Sequence, residues 1–256
     1  MWVSQHDLAA YAFVFTIILV PTGRISPDCR RSRFAVVLYP ALVCVERCCM
    51  IKTLSRVEVV ERITSKEFFR RAPDDRKAEL IDGVIIVTPP PLDIHERLVG
   101  FLYTLIRMVV EALNLGEVRG SRTAVELADD QTYEPDILFV ARERVEIIKD
   151  EGIFGAPDLV IEILSASTAS YDRGVKFRAY ERAGVRELWL VDPYGPAGTE
   201  FYQLQGKTLK PVMPDAEGMI HSIALPGFKL RVNWLWPAEK FISVREALKE
   251  MGISNP

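Results

Sequence analysis

Two acidic residues stand in stretches of chain where charge is unwelcome. Asp136 opens the hydrophobic run Asp136-Ile-Leu-Phe-Val140, directly after Glu134-Pro135. Glu162 interrupts Asp158-Leu-Val-Ile-Glu162-Ile-Leu164, where its apolar neighbours occupy both faces of any strand. A carboxylate in such a run is costly unless it is paired or binds a metal. Glu162 is therefore read as functional rather than as a solvent-facing edge residue. Asp136 alone reads equally well as an ordinary acid after proline at a strand start. Lys176 follows Glu162 by fourteen residues, and Asp172 precedes it by one helical turn, where an i,i+4 pair would hold it. Taken by themselves, Asp172 and Lys176 would read as a solvated surface ion pair.

Positioning these groups requires strands and at least two packing helices. Residues 54–72 read as a short helix, with Thr64 or Ser65 and the following Glu67 as a cap for its second part. Glu79–Val87 reads as a hairpin turning on Asp82-Gly83, and Pro89-Pro90-Pro91 ends it. From Asp93 to Leu113 apolar residues recur at helical spacing, and Asn114 and Gly116 stop the pattern. Strands are expected at Val118–Leu127, Asp136–Val140, Leu159–Leu164 and Glu187–Val191, with shorter ones at Phe201–Leu204, Leu209–Val212 and Ile220–Leu225. A second helix is expected from Thr168 to Ala183 with Gly184 as its terminator, and a last one over Val244–Met251. This interleaving argues for an α/β sandwich around a mixed central sheet flanked by helices.

The chain has 256 residues, 49% hydrophobic and 26% charged, with a net charge of −3. That is ordinary globular composition, and it gives no overall basic surplus of the kind that drives nucleic-acid affinity. Any contact with nucleic acid must come from a local patch. The first fifty residues differ from the rest. They hold all four cysteines (Cys29, Cys44, Cys48 and Cys49), five Arg against three acids, and no lysine. Their apolar runs, Leu8–Val20 and the Pro40-broken Phe34–Val45, fall short of the ~20 residues needed to span a bilayer. The cysteines lack zinc-type pairing. Residues 1–49 are read as an extension outside the core, 50–240 as the main domain, and 241–256 as a C-terminal helix and tail. With no cysteine after residue 49, the domain needs no oxidising compartment, so a cytoplasmic protein without a stable membrane partner is expected.

Six strings occur in order: Glu79-Leu-Ile-Asp-Gly83, Pro135-Asp136, Val160-Ile-Glu162-Ile, Ser165-x-Ser-Thr168, Asp172-Arg-Gly-x-Lys176-x-x-x-Tyr180, and Gly184-Val-x-Glu-x-Trp189-x-Val-Asp192-Pro193. Together they resemble the motif series of the Uma2 (DUF820) family across residues 54–235. The resemblance implies a restriction-endonuclease-like core of the PD-(D/E)XK type and a metal-dependent endonuclease acting on nucleic acid, with DNA the expected substrate. It implies that Glu79, Asp136, Glu162 and Lys176 are the active-site set. The wider superfamily places its lysine two residues after the second acid, where this chain has Leu164; the Uma2 pattern takes it from the next helix, at Lys176. Asp136, Glu162 and the backbone carbonyl of Ile163 would hold Mg²⁺ or Mn²⁺ through hard oxygen ligands. Glu79 would brace the metal shell or ligate a second metal. Asp172 would support Lys176, and His95 would line the cleft or be structural. Arg119, Arg122, Arg173 and Arg178 read as phosphate contacts or as solvated surface, and Trp189, Trp234 and Trp236 as core. A homodimer would suit cutting both strands. The alternatives are a catalytically inactive binding module on the same fold, and a phosphodiesterase acting on a substrate other than nucleic acid.

Overall fold

The structure is a computed structural model that describes residues 62–73, 75–237 and 239–253. The N-terminal extension and the first part of the helix expected at 54–72 lie outside the described residues. Within them the chain begins with α1 (Ser65–Arg71), which Thr64 caps. The Thr64 hydroxyl accepts from Glu67 N–H, and the Glu67 carboxylate accepts from Thr64 N–H.

Strands β1 (Ala78–Ile81) and β2 (Val84–Val87) form the Asp82-Gly83 hairpin, with φ of 49° and 78° at its two turn residues. Both angles lie in the left-handed region that a two-residue hairpin turn demands. Helix α2 runs Asp93–Leu113 and ends at Asn114, also left-handed. Its apolar stripe buries Leu98, Leu102, Leu105, Ile106 and Val109 almost completely, each worth about 1.5–3 kcal/mol where a large aliphatic side chain leaves water.

The remaining strands are β3 (Gly116–Gly120), β4 (Val125–Ala128), β5 (Gln131–Tyr133), β6 (Ile137–Ala141), β7 (Ile153–Phe154), β8 (Leu159–Ile163), β9 (Glu187–Val191), β10 (Glu200–Gln205), β11 (Thr208–Val212), β12 (Met219–His221) and β13 (Lys229–Arg231). Six of them make the large mixed sheet, in the order β11-β10-β9-β8-β6-β3. Only β8 and β9 pair in parallel there. A second sheet, β2-β1-β5-β4-β7, carries the hairpin, and β12 and β13 pair alone. The parallel pair needs a crossover, supplied by a helical segment made of α3 (Ala169–Tyr171), a π-helical stretch (Asp172–Lys176) and α4 (Phe177–Ala183). Gly184, at φ 84°, terminates it.

Alternation along β8 divides the core. Leu159, Ile161 and Ile163 join the cluster packed on α2, together with Ala247 and Leu248 of α5 (Val244–Glu250). Val160 and Leu164 join Ala179 and Tyr180 of α4 on the other face. Glu162 has the parity of this second face.

Three expectations need correction. Val118–Leu127 is not one strand. Arg122 takes a left-handed φ of 74° and breaks it, so β3 stays in the large sheet while β4 enters the second. The helix expected over Thr168–Ala183 is not uniformly α-helical but widens to a π turn at its centre. The strand expected over Ile220–Leu225 stops at His221, because Ser222, Ile223 and Ala224 are drawn onto the Glu187 carboxylate.

Candidate active site

The antiparallel register of β6 and β8 pairs Ile137 with Ile161. One step beyond that pair, Asp136 lies opposite Glu162. The backbone closes the junction, since Ile163 N–H donates to Asp136 Oδ2 at 2.8 Å. Extended backbone turns the N–H and C=O of one residue toward the same neighbouring strand, so the Ile163 carbonyl shares the Asp136 side. The hairpin brings Glu79 from the second sheet, and the π turn brings Asp172 and Lys176.

Lys176 is the hub of the deep half. Its Nζ lies 2.8 Å from Glu79 Oε1, 3.0 Å from Glu162 Oε1 and 3.2 Å from Asp172 Oδ1. Its side chain is only 3% exposed, which excludes the solvated surface pair. The Tyr180 hydroxyl donates to the same Glu162 oxygen at 2.6 Å. Glu79 Oε1 also accepts from the backbone N–H of Glu134 at 3.1 Å, which ties the second sheet to the approach of β6. A π turn is a costly, locally widened backbone found mostly at functional positions, and here it holds the two members of this cluster that the crossover supplies.

Asp136 is the hub of the outer half. Oδ1 accepts from Lys77 Nζ at 2.9 Å, and Oδ2 meets His95 Nε2 at 3.2 Å. His95, in the first turn of α2, thus lies inside the site; its Nδ1 faces Glu96 at 3.1 Å. Arg122 Nε approaches Glu134 Oε2 at 3.8 Å. Arg119 pairs with Glu117, and Arg173 with Glu200, so both are committed to exposed partners, and Arg178 is exposed. Trp189 and Trp234 are core residues, and Trp236 is half-buried, donating to the Asp192 carbonyl.

Burial and charge set the protonation states. Burial pushes the Glu162 carboxyl up to about 7, against the pull of Lys176 and with the help of Asp172 and Asp136. Burial raises Asp172 as well. Glu134 is likewise driven to about 7 by burial, with Arg122 and Lys77 opposing. Burial would also raise Asp136, but Lys77 and His95 outweigh it and hold that carboxyl well below the usual range. Burial disfavours the Lys176 ammonium, yet Glu162, Glu79 and Asp172 more than compensate, so it stays charged. The same balance, with Asp136 as chief partner, keeps Lys77 protonated. His95 is raised against burial by its bond to Asp136.

Glu79, Glu134, Asp136, Glu162 and Asp172 are all buried, and among the described residues Lys77, Lys176 and Arg122 are the permanent cations that pair with them. Two buried side-chain oxygens of this cluster, Glu134 Oε2 and Asp172 Oδ1, make no well-directed hydrogen bond among the described residues and meet only ion-pair partners, Arg122 at 3.8 Å and Lys176 at 3.2 Å. An acid surplus whose hard oxygens are only loosely satisfied fits a divalent cation of the Mg²⁺ or Mn²⁺ class. With the lysines seated between the acids, no three His, Cys, Asp or Glu groups among the described residues already stand in a metal-ligating arrangement.

Lys77, Glu134 and the Tyr180 contact to Glu162 were not anticipated as parts of the site from the sequence. Parity was the available signal, since Lys77 precedes Glu79 by two and Glu134 precedes Asp136 by two, which places each pair on one side of extended chain.

Comparison with known proteins agrees with this architecture. An uncharacterised protein of Synechocystis sp., sll1609, is 26% identical over 141 residues, covering 54% of this chain and 79% of that protein. The crystal structure of a protein from Anabaena variabilis, described as a putative nuclease belonging to DUF820, superposes with a TM-score of 0.53 at 19% identity. It covers 74% of this chain and 99% of its own, and so shares the fold. Among the described residues no helix is long and apolar enough to cross a membrane. The Uma2 model, described as "putative restriction endonuclease", matches residues 65–233, which include Glu79, Asp136, Glu162 and Lys176, and the chain belongs to the Uma2 family.

Proposed function

We propose that this cluster is the active site of a metal-dependent endonuclease that hydrolyses phosphodiester bonds, with DNA as its substrate. The observation that carries the reading is the buried surplus of acids over cations around Asp136 and Glu162. Family membership and the nuclease fold support it. Asp136, Glu162 and the Ile163 carbonyl would hold Mg²⁺ or Mn²⁺, with Glu79 close by. The metal, when bound, would stabilise charge on the phosphoryl oxygens and ease the deprotonation of water.

The chain's own residues do the rest. Ile163 N–H and His95 fix the Asp136 carboxylate, and Tyr180 fixes Glu162. Lys176, a permanent cation in a water-poor site, orients water and stabilises the negative charge that grows on the transferring group. A homodimer is part of the proposal, since two strands must be cut. Sedimentation of a monomer under cleaving conditions would remove that part alone.

The test is cleavage of supercoiled and linear DNA with EDTA, Mg²⁺ or Mn²⁺, with RNA and a small phosphodiester assayed in parallel. Metal-dependent nicking of DNA, lost in Glu162→Gln, is expected. Turnover confined to the small diester would make the protein a phosphodiesterase. Mn²⁺ binding without any cleavage would make it a binding module.

A further inference from the structure

The two lysines of the site are not equivalent. Lys176 is shut in and shared by three carboxylates. Lys77 contacts a single carboxylate oxygen, Asp136 Oδ1, and its side chain is 22% exposed. It is the lysine through which this cluster reaches solvent. Asp136, by contrast, is nearly sealed, with Oδ2 already taken by Ile163 N–H and His95. Among the described residues Lys77 alone is bonded to Asp136 Oδ1, and it stands between that oxygen and the outside.

We infer that Lys77 is an exchangeable counter-ion which releases Asp136 when a divalent cation enters and then binds a phosphate of the nucleic acid. The inference rests on the reading of the cluster as a metal-dependent nuclease site. Its physical basis is competition for one oxygen. A cation that takes Asp136 Oδ1 removes the carboxylate that Lys77 pairs with among the described residues. Its flexible four-carbon stem is half-buried and already opens to solvent, so the ammonium can swing outward without crossing the core. The nearest anion a nuclease brings to that mouth is a phosphate. Lys176 cannot behave this way, because two further carboxylates hold it when any one is taken. Lys77 would thus be a charge that contributes to substrate binding only when the metal is in place, coupling the two binding events through one side chain.

The experiment compares wild type with Lys77→Met and Lys77→Arg. Mn²⁺ binding to the DNA-free protein is followed by calorimetry, and binding of a short DNA duplex by fluorescence anisotropy, in EDTA and in Ca²⁺. Lys77→Met is expected to bind Mn²⁺ more tightly, by about tenfold, because the competitor is gone. It is expected to match wild type on DNA in EDTA and to be about tenfold weaker in Ca²⁺, the scale of one charge-assisted contact. Lys77→Arg should retain most of the Ca²⁺-dependent affinity and, by thermal melting, the wild-type fold. An equal loss of DNA affinity with and without Ca²⁺ would make Lys77 an ordinary surface charge and overturn the inference. So would weaker Mn²⁺ binding by a folded Lys77→Met, which would make the lysine a scaffold for Asp136. If wild type itself took up no Mn²⁺, the metal-dependent reading of the site would fail, and this inference with it.

Discussion

Glu162 and Glu187 lie on neighbouring parallel strands, and both are closed off from solvent. Their surroundings are opposite. Glu187 accepts four neutral donors: Trp189 Nε1 at 2.8 Å, the Ser222 hydroxyl at 2.6 Å, and the backbone N–H groups of Ile223 and Ala224 at 2.9 and 3.0 Å. It staples the loop after β12 to the end of β9. Glu162 receives an ammonium and a phenol, both on Oε1, and shares that ammonium with two more carboxylates. A buried acid whose donors are all neutral and all its own is a structural joint. A buried acid that competes with other acids for one cation is an unbalanced electrostatic site, and the imbalance is what a metal can relieve.

The sharpest way to break this contrast is to remove the shared cation. Lys176→Ala leaves Glu79, Glu162 and Asp172 facing each other without compensation. Stripping one partner from a buried pair costs about 3–5 kcal/mol, and the metal-free variant should lose stability on that scale in urea titrations. Cleavage by the folded variant should fall by roughly two orders of magnitude or more, the loss expected for one transition-state charge partner. Mn²⁺ should restore the stability of Lys176→Ala more than it stabilises wild type, since it replaces the missing charge. A variant as stable as wild type in EDTA would show that the three acids are not held by this lysine.

Glu187→Ala should strike the other side of the comparison. It strands four donors, two of them fully buried, and should cost about 3 kcal/mol, read as a lower urea midpoint. Cleavage per folded molecule should stay at the wild-type level, because none of the Glu187 partners touches the cluster. A matching fall in turnover at full folding would join the two regions functionally and dissolve the distinction.

The sequence exposes some of this and hides the rest, for reasons that the residues make plain. The bounds of α2, the Asp82-Gly83 hairpin, β9 and the α5 region are legible because long periodicity, turn chemistry or a sealed apolar run specifies each locally. Glu162 stands out for the same reason, as a charge in a run with no polar face. That argument extends to Glu187, and it does not distinguish a staple from a site, because three of the four donors of Glu187 are 35–37 residues away. Lys77 reaches Asp136 across 59 residues, and Lys77-Ala-Glu79 carries no local anomaly. β5 and β7 have three and two residues, too short for any period to register. The π turn leaves the apolar pattern around Val175 and Ala179 intact, so nothing in the pattern marks the widened backbone.

The smallest effect concerns acidity, and its sign follows from the direction of each shift. Glu162 is raised from 4.5 to about 7 by burial, so between those values the folded protein holds a proton that the unfolded chain has lost. Stability then falls as pH rises through this window, and acidification recovers it. Asp172 and Glu134 are raised by burial and act in the same direction. His95, raised above 6.5 against burial by its bond to Asp136, contributes stability that is complete below its unfolded value and lost as pH climbs through its folded one. Asp136 has the opposite sign, but its contribution disappears only below about 3.8, outside the range concerned. In EDTA, therefore, the unfolding free energy should increase by about 1–2 kcal/mol per raised carboxyl of the Glu162 kind between pH 7 and pH 5.5. Glu162→Gln should remove that share of the slope. Saturating Mn²⁺ should flatten or reverse it, because the metal requires the ionised acids that low pH removes. A wild-type protein whose metal-free stability decreases from pH 7 to pH 5.5 would mean that the acids of the cluster are already balanced, and that the deep half of the site is a second staple like the one at Glu187.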